Sequence, residues 1–323
     1  MANPSPSSSA TLDTPAGSDT GGALASHNAD NEGVACVLTF NANDPSGAAG
    51  LAADILAVAC VGAHPMPITT GVYARDSAEI MEFYPLTDDA VEAQARAVLE
   101  DVPVQTIKVG FLGSPEAVSA VAAIAADYED IPVIAYMPNL SWWTDNETDN
   151  YLDAYTELLL PQVTVLVGNH NSLWRWLLPD WGSERSPSAR DIAKAAAEHG
   201  VPYTLVTGIG LPDQYIDNVL ATPETVLGSQ KFERFEASFI GAGDTLSAAL
   251  AALLASGDDL VAATQEALVF LDRSLDAGFR PGMGQVIPDR LFWAQPEDDE
   301  LPLTQEQTDA QITLDMPTSD TKH

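Results

Sequence analysis

The residues best suited to chemistry are Gly241-Ala242-Gly243-Asp244-Thr245, directly in front of an Ala/Leu-rich run over 246–254. Two glycines let the backbone turn tightly with its N–H groups exposed, and a helix that follows adds the positive end of its dipole at the same place. The product is an anion hole. An Asp inside it is the wrong group for gripping a phosphate and the right one for taking a proton beside it. The combination points to phosphoryl transfer to a hydroxyl, with Asp244 as base and the Gly241, Ala242 and Gly243 amides facing the charge that develops. The plainer alternative is that the glycines only turn the chain and Asp244 caps the helix.

A second polar stretch, Asn43-Asp44-Pro45-Ser46-Gly47-Ala48-Ala49-Gly50, leaves the first expected strand (34–40) and enters a helix over 48–60. Open α/β sheets bind ligands at that C-terminal strand edge. Asp44 and Gly47 either meet a small polar substrate or form an ordinary Asp-Pro-Ser-Gly turn in which Asp44 accepts backbone N–H bonds. The stretch has neither the Gly-Lys-Ser/Thr of a phosphate-binding Walker loop nor the dinucleotide-binding glycine fingerprint.

The elements that must hold these stretches follow from periodicity. Between residues 33 and 294 short β-branched runs alternate with amphipathic Ala-rich runs, the pattern of βαβ units and a largely parallel sheet. Strands are expected near 34–40, 67–73, 79–84, 106–111, 132–136, 163–167 and 202–206, with hairpin material at 215–235. Helices are expected over 48–60 and 89–99, from Ser114-Pro115 onward, and over 188–199, 245–255 and 260–277. Residues 1–32, rich in Ser, Pro, Ala, Gly and Asp, and the acidic residues 295–323 read as disordered tails around one domain.

The net charge is −34, of which the first tail holds −4 and the second −7, leaving −23 on the domain. Such a surface repels nucleic acids and anionic membranes. No apolar run reaches the roughly 20 residues that span a bilayer, and the N-terminus lacks the basic start and apolar middle of a secretion signal; a cytoplasmic protein is expected. Cys36 and Cys60 are expected as buried, reduced thiols, and His64, His170 and His199 have no metal-ligand spacing. The Trp142-Trp143 and Trp174/Trp176 pairs suit core or subunit packing, with the lining of a ring-binding pocket as the alternative, and residues 140–150 are a candidate lid.

Taken together, NDPSGAAGLAAD (43–54), TIKVGFL (106–112) and GAGDTLSAALAALL (241–254) resemble the signatures of the hydroxymethylpyrimidine and phosphomethylpyrimidine kinases, in matching order and spacing over about 34–290. The resemblance implies a ribokinase-like fold, three α/β/α layers around a mostly parallel sheet. It implies transfer of phosphate from ATP, with Mg²⁺, to a hydroxymethyl group on a heteroaromatic ring in thiamine biosynthesis. It places Asp244 at the catalytic position, Asp44, Gly47, Asp54 and Arg75 at the alcohol site, and Asn169, Thr207, Gly208 and Thr245 at the nucleotide, with no metal ligand identified. It also allows a homodimer.

Several positions depart from the family pattern. Arg75 replaces a ring-reading Gln and is either a partner for a substrate phosphate or a solvated surface residue. Lys108 is either a structural ion-pair partner or a phosphate contact. The family's Asp-Pro-Val-Met is Ala135-Tyr136-Met137-Pro138-Asn139 here, its Asn-x-x-Glu is Asn169-His170-Asn171-Ser172, and its Lys-Gly-Gly is Thr207-Gly208-Ile209-Gly210. A pyridoxine or pyridoxal kinase is the nearest alternative. A catalytically impaired ring-binding sensor is a further one, motivated by the lost Glu, Asp and Lys.

Overall fold

The computed structural model describes residues 33–294, so both expected tails lie outside the described residues. The backbone builds β1 (Cys36–Asn43), α1 (Gly50–Cys60), β2 (His64–Arg75), β3 (Ile80–Pro85), α2 (Asp88–Leu99), β4 (Thr106–Val109), α3 (Pro115–Asp127) and β5 (Val133–Met137). It continues with α4 (Asp145–Ala154), β6 (Val165–Asn169), α5 (His170–Leu177), α6 (Ala189–Glu198), β7 (Tyr203–Gly210), β8 (Tyr215–Ala221), β9 (Val226–Glu233), α7 (Ala242–Ala255) and α8 (Leu260–Asp276).

All nine strands form one sheet in the order β3-β2-β1-β4-β5-β6-β7-β8-β9. The run from β2 through β7 is parallel, and β3, β8 and β9 pair antiparallel at its two ends. Strand β1 is buried from Val37 to Ala42, as a strand covered on both faces must be. Helices α1, α7 and α8 cover one face, where Ala57, Val58, Leu246, Leu250 and Leu268 share a core. Helices α2 to α6 cover the other through Val91, Val118, Tyr151, Leu173 and Ile192. This is the three-layer architecture that the sequence implied.

The strand order reverses at β1, whose neighbours β2 and β4 lie on opposite sides. Such a switch point opens a crevice at the carboxyl ends of the strands. Asn41 and Asn43 on β1 and Lys108 and Val109 on β4 end there.

Caps explain the helix starts that were legible. Thr87, Ser114 and Ser188 each accept an N–H bond from their first turns, and Ser188 forms a reciprocal box with Asp191. His199 is the C-cap of α6. Two helices were not expected. The acidic α4 starts at a Thr144/Glu147 capping box, and Asn169 caps α5. The candidate lid, residues 140–150, includes the first turns of α4. Leu140 is buried, and Trp142 and Trp143 stack with ring centroids 5.6 Å apart and pack edge-on against Phe111. Trp174 and Trp176 also pack against the core. Cys36 and Cys60 are free thiols, half-buried rather than fully buried.

Candidate active site

Asp244 sits on the third residue of α7, whose N-cap is Gly241 in the left-handed region at φ +80°. Glycine is required there twice over, for the backbone conformation and because a Cβ would strike the Ala48 carbonyl. A Cβ on Gly243 would strike the Tyr136 ring. Asp244 does not cap its own helix, so the capping alternative is corrected: the α7 N-terminus has no side-chain cap. Its carboxylate faces across to other elements instead. Oδ1 accepts from Asn41 Nδ2 (2.8 Å) and Lys108 Nζ (3.0 Å), and Oδ2 accepts from the Gly50 amide at the start of α1 (3.1 Å).

Below it lies Asp54 of α1. Lys108 Nζ also donates to Asp54 Oδ1 (2.7 Å), and Asn41 Nδ2 also donates to Asp54 Oδ2 (3.0 Å). One ammonium and one amide thus bridge the same two carboxylates. Asn41 is fully employed, because its Oδ1 accepts from the Ala42 and Phe111 amides, at 2.9 and 3.1 Å. Gly110 leaves room for this amide, since a Cβ there would collide with it. Lys108 and Asp54 have no exposure, so Lys108 is the ion-pair partner of the two readings offered above. Burial pulls the Lys108 ammonium down, but Asp54 and Asp244 outweigh it and hold the group above its ordinary value. Burial pushes the Asp54 carboxyl from 3.8 up to about 6; Lys108 opposes that rise and Asp244 adds to it.

The Asp54 shift has a pH consequence. The folded state holds this proton up to about pH 6 while the unfolded chain releases it near 3.8, so this group's contribution to stability is full below 3.8 and is lost as pH rises through 6. Denaturant unfolding of wild type and Asp54→Asn at pH 4, 5, 6 and 7 is expected to show wild type losing ground to the variant by on the order of 2–3 kcal/mol over that range. A difference independent of pH would contradict the assignment.

Around this cluster the first turn of α7 stays open. Among the described residues, the Gly241, Ala242, Gly243 and Asp244 amides have no hydrogen-bond partner, whereas Thr245 N–H closes the first helical bond to Gly241 O (2.9 Å). These are donors that an anion would find at a helix N-terminus. The Tyr136 ring lies against Gly243 and 5.9 Å from Lys108 Nζ, and burial, with Asp244 adding, keeps its phenol protonated well above the ordinary range.

Several predicted site residues sit elsewhere or do other work. Asp54, expected at the alcohol site, is wholly buried and bonds to Lys108 and Asn41. Asp44 does what the turn reading required: its oxygens accept from Ser46 N–H (2.8 Å), Ser46 Oγ (2.6 Å) and Ala49 N–H (2.9 Å), and its side chain has no exposure. Arg75 is not a solvated residue, since its side chain is 7% exposed and its Nη1 lies 3.7 Å from Asp44 Oδ2. Gly47 turns at φ +72° with open space beside it. Thr245 was assigned to the nucleotide, but it is fully buried; its hydroxyl donates to Gly241 O (2.7 Å) and accepts from Arg290 Nε (2.9 Å). Arg290 also donates to Ala48 O (2.6 Å), so one buried guanidinium ties the α7 turn to the turn before α1.

Asn169 and Gly208, two of the four nucleotide assignments, line a cavity of about 690 Å³ at the ends of β6 and β7. Thr207 stands beside it, with its hydroxyl donating to Gly168 O (3.3 Å). Mg²⁺ at a nucleotide draws on phosphate oxygens, water and one or two carboxylates. The cavity lining has no carboxylate, and the described residues contain no group of three His, Cys, Asp or Glu side chains able to hold a metal. The protein residues alone do not fit a metal cage. Asn41, Tyr136 and Arg290 were not singled out from the sequence, because each acts through partners far away in the chain.

The family model described as phosphomethylpyrimidine kinase matches residues 44–289. A hydroxymethylpyrimidine/phosphomethylpyrimidine kinase of Streptomyces coelicolor is 29% identical over 263 residues, covering 81% of this chain and 96% of that protein. The Salmonella typhimurium protein of the same description is 30% identical over 221 residues, covering 67% and 81%. Among solved structures, pyridoxal kinase of Bacillus subtilis in an ADP complex superposes with a TM-score of 0.72 at 23% identity, covering 82% of this chain and all of that one (100%). The family match takes in every member of the buried cluster except Asn41 and Arg290. This chain therefore belongs to the phosphomethylpyrimidine kinase family, and it is a kinase whose phosphoryl acceptor is an alcohol.

Proposed function

We propose that the protein moves the γ-phosphoryl of ATP to the hydroxymethyl group of a small heteroaromatic ring, the thiamine pyrimidine precursor, or to the phosphate of that precursor's monophosphate. The observation that carries the reading is the pairing of an Asp244 carboxylate, fixed from three directions, with the unpaired amides of its own helix turn. Asp244 takes the hydroxyl proton as the hydroxymethyl oxygen attacks phosphorus. The new P–O bond forms in line with the one that breaks to release ADP, and the Gly241 to Asp244 amides receive the charge on the phosphoryl oxygens. Lys108 and Asn41 hold the base in place from beneath. Bound with the nucleotide, Mg²⁺ would neutralise phosphate charge.

Arg75 supports a substrate that already carries a phosphate. Its guanidinium is a pure donor, nearly buried, and its nearest acid, Asp44, is occupied by three other bonds. Loss of catalysis with retained ring binding is the weaker reading, because a sensor has no need of a base so completely positioned. Mass spectrometry of products from MgATP with hydroxymethylpyrimidine, its monophosphate and pyridoxal tests the proposal. Phosphorylation of the pyrimidines ahead of pyridoxal is the expected order; equal or preferential turnover of pyridoxal would overturn the substrate assignment.

A further inference from the structure

Of the 323 residues 47 are Asp or Glu, yet the 690 Å³ cavity at the ends of β6 and β7 is lined by none of them. One of the chain's 13 Lys and Arg residues lies in its wall: Arg234, immediately after β9. Its backbone is anchored by an N–H bond to Gln214 O (2.6 Å), while its exposed side chain makes no ion pair or hydrogen bond among the described residues. An arginine that stays unpaired on a surface so crowded with carboxylates, and faces a cavity from which they are missing, is available to an anion.

The rest of the wall narrows the class of anion. Asn169 uses its Oδ1 to cap α5 (3.0 Å from Asn171 N) and leaves its side-chain NH₂ without a partner among the described residues, beside Gly208 at φ +68°. The lining also includes Ile209, Ile216, Phe239 and Leu275, an apolar surface with room for a flat ring. A volume of this size accommodates a ligand as large as a nucleotide. Phe239 precedes the α7 turn by two residues, so the cavity adjoins the segment that leads into the amide hole.

We propose that Arg234 is the cation that binds the phosphates of the nucleotide, with the base of that nucleotide against the apolar wall. This rests on the reading of the protein as an ATP-using kinase. It supplies from the loop after β9 the positive charge that the stretch Thr207–Gly210 does not contain.

Calorimetric titration of the full chain with ADP, AMP and adenosine tests the assignment in wild type, Arg234→Ala and Arg234→Lys. Arg234→Ala is expected to weaken ADP about 10–100-fold and adenosine less than about twofold, with Arg234→Lys recovering part of the ADP affinity. Thermal unfolding unchanged from wild type will show that the exposed side chain was removed without loss of fold. ADP binding as tight as wild type in Arg234→Ala, or equal losses for ADP and adenosine, overturns the phosphate role and leaves the kinase reading standing. A wild type that binds none of the three removes the nucleotide reading of the cavity and the proposal with it.

Discussion

Replacing Asp244 by Asn is expected to lower kcat by about 10²–10⁴-fold, the usual contribution of a positioned general base, while changing KM for either substrate little. The two side chains have the same shape, and the amide oxygen can still accept from Asn41, Lys108 or Gly50. What disappears is the capacity to take a proton. Because Asp244 makes no capping bond to its own helix, the loss cannot be attributed to a frayed α7. Steady-state kinetics beside a thermal melt separates the two. A kcat within a few-fold of wild type would remove Asp244 from the chemistry.

The second large effect is expected from Lys108→Met, which keeps the length of the side chain and deletes the ammonium. Two carboxylates then face each other with Asn41 as their only shared donor, and Asp54, with no exposure, loses the contact that offsets its burial. Breaking a buried pair by removing one partner costs about 3–5 kcal/mol. For a chain of this size that corresponds to a fall in melting temperature on the order of 10 °C. Activity should fall as well, because the base is held from beneath by the lost group. Calorimetric unfolding and kcat measured together check both parts; a stable, fully active Lys108→Met protein would show the bridge to be dispensable.

How much of this was legible in the chain differs from residue to residue. The α7 turn was readable because its parts are adjacent: the two glycines, the acid after them and the helix all fall within one short stretch. Cap residues were readable for the same reason. Strand β2 was read as starting at Pro67, but it begins at His64, since both prolines lie where β2 pairs only with β1; its bonds to β3 start at Gly71. Helix α4 hid because it is acidic and nearly lacks an apolar stripe, with Tyr151 as its one buried side chain, so its capping box was the local signal.

The lower half of the site was not legible at all. Asn41 reaches Asp244 across 203 positions and Lys108 does so across 136, and no spacing rule connects residues so far apart. The burial of Asp54 and Thr245 was equally hidden, because it is fixed by the packing of α1 and α7 against β1 and β4 and by the Arg290 bridge between two turns. Resemblance placed these residues near the ligand. In the fold Asp54 bonds to Lys108 and Asn41, Asp44 to its own turn, and Thr245 to Gly241 and Arg290.

The central claim is that Asp244 and the open amides of α7 pass a phosphoryl group to a ring alcohol. The most direct measurement follows the label from γ-labelled ATP when the intact chain is incubated with hydroxymethylpyrimidine, with Asp244→Asn in parallel. The predicted result is label on the ring's exocyclic oxygen as a phosphate monoester in wild type and almost none in the variant. Label that stays in ATP, or appears only as inorganic phosphate whichever ring alcohol is supplied, would contradict it.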